Sequence, residues 1–220
     1  TERNVVTSEV LPLAIAIAVS PFPVIPVILL LFNPGAPKAA LAFLTGWVIG
    51  VGLATTVFVF LGDFIDQAKS TPTWASWLQT AVGVTLVVLG ARQWLARGTS
   101  AQVPGWMASL ADAAPSAALR LGLLLSAANP KVLLLAAASG LTIADVKGSV
   151  SSEIVAVGLF TLVASISVAT PVALFVAFGE ATLVPLGRAK DWLQRNNAIV
   201  MAVVITVIGI ILLVKGLSGV

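Results

Sequence analysis

LLSAANPKVLLLAAASG, Leu124 to Gly140, is apolar enough to lie in a bilayer, yet Asn129-Pro130-Lys131 stands at its middle. The surrounding run Ala117–Ala144 is long enough to cross about 30 Å of hydrocarbon at about 1.5 Å per residue. A cation at that depth costs about 2.5–3.5 kcal/mol on insertion scales. Proline beside it removes a backbone donor and breaks the helix. A plain anchor needs neither residue. The triplet therefore points to a site that handles something polar or anionic inside the membrane.

The rest of the chain supports a membrane reading. Of its 220 residues 59% are hydrophobic and 10% charged, with a mean hydropathy of +1.07, more apolar surface than a soluble domain can bury. The net charge is +3. The basic residues fall in short loops, so they set orientation rather than bind nucleic acid, and no nucleic-acid partner is expected. There is no cysteine and no histidine, which removes thiol chemistry and imidazole-based metal sites or proton relays. No carboxylate falls well inside an apolar run, since Glu9, Asp63, Glu153 and Glu180 stand at the ends. A cation carrier would need such oxygens, so no metal and no cofactor is expected. No nucleophile–base pair or paired carboxylates can be assembled, so an enzyme is not expected and no catalytic residue is assigned.

Six apolar segments are predicted to span: Glu9–Phe32, Ala39–Gly62, Trp74–Leu95, Ala117–Ala144, Glu153–Gly179 and Asn197–Gly216. Pro171 predicts a kink or break in the fifth. Trp74, Trp77 and Trp94 bracket the third span, and Trp106 and Trp192 lie in the two longest loops, where aromatic belts sit. Lys38, Arg92, Arg97, Arg120, Arg188, Lys190 and Arg195 fall on one side, and Arg3, Lys69, Lys147 and Lys215 on the other. The richer side is expected to be cytoplasmic, which places both termini outside. The segment Pro185–Asn196 reads either as a short interfacial helix or as a solvated loop.

The two halves, residues 1–100 and 101–220, resemble each other. Ser20-Pro21 corresponds to Asn129-Pro130, each pair near mid-span. Span two ends VFVFLGD (Val57–Asp63) and span five LFVAFGE (Leu174–Glu180). Gly83 and Gly90 match Gly209 and Gly216 at the same interval. Three spans per copy is an odd number, so the second copy enters from the opposite side. The expectation is an all-α integral membrane protein of six transmembrane helices in two inverted three-helix repeats, with the first and fourth helices broken. Folds of this kind bind substrate at the midplane, where the breaks meet.

At the second break Asn129 is a good N-cap, Pro130 suits the first helical position, and Lys131 adds charge to the positive end of the helix dipole. An anion is the expected guest. At the first break Ser20 can cap, Pro21 opens the new helix, and Pro23 and Pro26 remove further donors. Thr170, just before Pro171, and Thr55 with Thr56 in the matching span are candidates for lining the pathway. The remaining in-span hydroxyls, among them Thr45, Ser126, Ser139, Thr161, Ser165 and Ser167, are expected to hold helices together or bond their own i−4 carbonyls. Gly46, Gly50 and Gly52 form a smooth face for close packing.

These residues carry a resemblance. SPFPVIPVILLLF (Ser20–Phe32), AFLTGWVIG (Ala42–Gly50), PGWM (Pro104–Met107) and the opening stretch Leu124–Gly140 are similar to the LysE superfamily of exporters. The closer likeness is to its GAP branch, the actinobacterial peptidoglycolipid- and sulfolipid-addressing proteins. The family usually has Asn after Asn-Pro-Lys, where this chain has Val132. The resemblance implies export of a cell-envelope glycolipid or similar anionic amphiphile across the inner membrane. It carries Ser20, Pro21, Pro23 and Pro26 into the first motif and Asn129, Pro130 and Lys131 into the second. The expected partners are membrane lipids or a glycolipid substrate, with a larger lipid exporter or a homodimer beyond them. Two other functions fit the same residues: export of small amino-acid-like solutes, and a non-transporting accessory subunit of a larger exporter.

Overall fold

Proline decides where the first helices begin and end. The computed structural model describes residues 9–33, 35–67, 73–95, 110, 113–146 and 148–218. Helix α1 (Leu11–Ala18) stops at Val19, and α2 (Pro21–Leu31) restarts at once with Pro21 in its first position. Pro23 costs little there, because first-turn amides have no helical partner. Pro26 lies inside α2 and removes the donor that would serve the Phe22 carbonyl. The two helices meet at a bend of 48°.

Helix α3 (Ala36–Gln67) and helix α4 (Thr73–Leu95) come next, each continuous over its own length. The pattern then recurs. Helix α5 (Pro115–Ala127) and α6 (Pro130–Asp145) form a second bent pair, at 60°. Helix α7 (Val150–Phe178) opens where the Ser149 hydroxyl accepts from the Ser152 amide at 3.2 Å. It closes at Gly179, whose φ of 60° suits a residue without a side chain. A 3₁₀ turn, Gly179–Thr182, leads into α8 (Leu183–Ser218).

Two stretches, Ala36–Phe64 and Val150–Asn196, are each long and apolar enough to cross a membrane, and each bent pair passes as one span. Up to four crossings are therefore represented among the described residues. Helix α4 and the second half of α8 contribute shorter apolar runs, Gly83–Arg92 and Ala198–Val207. The chain is an all-helical membrane protein among its described residues.

One expectation changes on this fold, and one left open is decided. Pro171 does not break the fifth apolar segment, since α7 runs through it. Residues 185–196 are not a loop; they form the opening turns of α8. At about 1.5 Å per residue α8 reaches about 54 Å, well beyond the hydrocarbon core, so the excess can carry Arg188, Lys190 and Arg195 outside it. Trp106 and the Pro104–Met107 motif lie outside the described residues, as do Arg3, Lys69, Arg97, Lys147 and the side chains of Trp74, Trp77 and Lys215.

Glycines set the register. A methyl on Gly46 would strike the Leu119 carbonyl, one on Gly50 the Ser126 hydroxyl, and one on Gly122 the Phe43 carbonyl. Further along, Gly140 lies against Thr55, Phe58 and Val59, and Gly62 against Ala144. Residue numbers rise together on both sides, so α3 runs parallel to the whole broken pair α5–α6. Across the α4–α8 seam they run in opposition: Gly83 faces Gly209 and Leu213, and Gly90 faces Thr206 and Ala202. That pair is antiparallel.

Candidate functional site at the helix breaks

The two bent pairs touch. Helix α1 packs on α6, and α2 on α5. First half against second half and second against first means that the pairs lie antiparallel, with their breaks level. Asn33 reinforces the arrangement, its Nδ2 donating to the Ala113 carbonyl at 3.3 Å just before α5 begins. Helices α3 and α7 close the sides: α3 packs on both α5 and α6, and α7 on α1, α2, α3 and α6.

At the second break the backbone turns extended at Asn129 (φ −79°, ψ 118°), and its Oδ1 accepts from the Lys131 amide at 3.0 Å. The Asn129 carbonyl accepts from the Leu133 amide at 2.9 Å. Pro130 has no N–H to offer. The cap thus consumes the Lys131 amide internally, so any pull on an anion rests chiefly on the Lys131 side chain and the dipole of the sixteen-residue α6. The Lys131 Nζ is buried and has no hydrogen-bond partner among the described residues. An uncompensated cation away from water costs several kcal/mol, so a guest or water must complete the site. Val132, next in the chain, is buried among apolar neighbours and offers no polar contact.

The first break is neutral. Ser20 is extended and buried, but its hydroxyl does not cap α2, contrary to expectation. With Pro21 in first position and Pro23 in the same turn, there are few amides for a cap to serve. Pro21, Pro23 and Pro26 are all buried. Among the sequence candidates the structure brings Ser20, Pro21, Asn129 and Lys131 to the level of the breaks. Thr55 is fully buried, but its hydroxyl is spent on the Val51 carbonyl at 2.9 Å. Thr170 is exposed, and its hydroxyl is likewise spent on its own backbone, donating to the Ile166 carbonyl at 2.7 Å.

The other hydroxyls divide into two sets. Thr45, Thr56, Ser126 and Thr142 each donate to the carbonyl four residues back. Ser139, Thr161, Ser165 and Ser167 do not; their hydroxyls are buried and unpartnered, as is the Trp47 indole Nε1. Sequence reasoning missed this distinction. Serine and threonine look alike on the page, and only the rotamer separates a satisfied hydroxyl from a free one.

A family model described as Sap, sulfolipid-1-addressing protein, matches residues 10–218. No curated protein and no solved structure matches the chain.

Proposed function

Since this chain belongs to the family of Sap, sulfolipid-1-addressing proteins, we propose that it exports or flips an anionic, lipid-anchored head group across the inner membrane. The head group sits at the level of the two breaks against Lys131, while the acyl chains stay in the bilayer. The observation that carries this reading is the buried Lys131 ammonium without a partner among the described residues, in the first turn of a helix that starts at an interruption. A resident carboxylate would neutralise it permanently; a missing partner leaves room for a charge that comes and goes.

Alternating access follows if the two halves are inverted copies that rock against each other. Three features support the repeat. The element order is the same in both halves: a bent pair, then two further helices. The parallel run of α3 with α5–α6 and the antiparallel α4–α8 seam are the directions six alternating crossings require. Gly83 and Gly209, equivalent in the sequence repeat, also meet reciprocally. A methyl on Gly83 would lie 2.9 Å from the Gly209 carbonyl oxygen, and one on Gly209 3.0 Å from that of Gly83. Residues on a two-fold axis between inverted repeats meet in this way.

Proteoliposomes carrying a fluorescent sulfated glycolipid test the proposal. Wild type accelerates transfer between leaflets, and Lys131→Ala loses at least tenfold of that rate, as expected when a buried charge-assisted contact worth about 1.5–3 kcal/mol is removed. Full activity in Lys131→Ala contradicts the reading. Lysine-dependent binding without transfer would assign the chain the accessory role instead.

A further inference from the structure

The buried polar atoms without partners are not scattered. Trp47 Nε1, Lys131 Nζ, Ser139 Oγ, Thr161 Oγ1, Ser165 Oγ and Ser167 Oγ all lie on α3, α6 and α7, which pack on one another. Among the described residues no such atom is found on α1, α2, α4, α5 or α8. Lipid cannot satisfy these groups, and each costs free energy unless something inside the protein does.

Thr161 and Ser165 are the best placed. They stand one turn apart on one face of α7, with exposures of 8% and 4%. That face looks across at α3, where a methyl on Gly52 would lie 3.5 Å from the Thr161 hydroxyl oxygen. That is ordinary van der Waals contact, so glycine at 52 leaves about the room of one methyl group beside the Thr161 hydroxyl. Hydroxyls that serve only as helix glue reach the facing helix or their own backbone, as Thr55 and Thr56 do on α3. These two reach neither. Uncharged groups that both donate and accept suit a hydroxyl-bearing ring rather than an ion.

We propose that Thr161 and Ser165, at the α3–α7 seam, form a second, uncharged subsite that hydrogen-bonds the sugar hydroxyls of the lipid head group. This rests on the function proposed above and divides its recognition: Lys131 takes the charge, and the seam takes the ring. The subsite makes the protein selective for glycolipids over other anionic amphiphiles.

The test is binding to the purified full-length chain in nanodiscs. The probes are a sulfated galactosyl lipid, the same lipid without sulfate, and dodecyl sulfate, which has the anion but no sugar. The variants are Thr161→Val with Ser165→Ala, Thr161→Ser as a hydroxyl-preserving control, and Lys131→Ala. Removing both hydroxyls is expected to weaken both galactosyl lipids about tenfold and to leave dodecyl sulfate unchanged, while Thr161→Ser keeps wild-type affinity. Unchanged galactosyl-lipid binding in the double variant overturns the subsite, assigning the hydroxyls to bound water. So does an equal loss for all three probes at an unchanged thermal midpoint. The function proposed above fails separately, if Lys131→Ala binds the sulfated lipid and dodecyl sulfate as wild type does. Wild type that binds no probe overturns both.

Discussion

Asn129 and Lys131 divide the work at the second break. The asparagine side chain closes the helix start from within, and the lysine side chain is left to face whatever enters. The two roles separate by mutation. Asn129→Ala is expected to lower stability by about 1 kcal/mol, the usual worth of an N-cap, seen as a lower thermal midpoint in detergent with head-group binding retained. The Asn-Pro-Lys reading was available from the sequence because cap, helix opener and charge come in chain order and act locally. Ser20 shows the limit of that logic. Its residue type fits a cap, but proline at 21 and 23 leaves the turn few amides. Thr55 and Thr170 show another limit: both are polar and within spans, yet each hydroxyl is spent on its own backbone. Which way a hydroxyl points depends on helical phase and rotamer, and neither can be read from spacing when a span has no polar face.

Among the elements, glycine seams fix which helices can approach. At Gly122 an added methyl would meet the Phe43 carbonyl and lie 2.9 Å from the Trp47 amide, and backbone cannot yield as a side-chain tip can. Gly122→Val is therefore expected to cost about 1–3 kcal/mol through overpacking. Gly158, in the interior of α7, has nothing within 4 Å of such a methyl. Gly158→Ala should leave stability unchanged or raise it by up to about 1 kcal/mol through helix propensity. Thermal melts of the two variants side by side check the contrast. The sequence showed the GxxxG face of α3 but not its partners. Gly46 and Gly50 turn to α5 and Gly52 to α7, a split that follows from the 3.6-residue period once the neighbours are known. The break allowed at Pro171 does not form, for a related reason. Proline removes one hydrogen bond, and a long apolar helix packed on several neighbours can absorb that loss without ending.

For the whole molecule, the parallel and antiparallel seams and the basic-residue bias together predict a topology. Lys38 at the start of α3 and Arg188 in α8 belong on the cytoplasmic side, and Asp145 at the end of α6 belongs outside. The sequence contains no cysteine, so single substitutions can be labelled without background. Lys38→Cys and Arg188→Cys should resist an impermeant thiol reagent applied from outside, and Asp145→Cys should react with it; the reverse pattern would invert the orientation. Much of this architecture was legible because apolar run length and proline position are properties of the chain alone. At 185–196 the sequence allowed a short helix or a loop without choosing, since amphipathic turns and loops share a composition. The central claim, an anion cradle level with both breaks inside the membrane, is tested most directly at Lys131. In the Lys131→Cys variant, reconstituted in liposomes, an anionic methanethiosulfonate reagent should modify the thiol slowly, and a sulfated glycolipid should block it. Rapid modification at the rate of a surface thiol, indifferent to the lipid, would contradict the account.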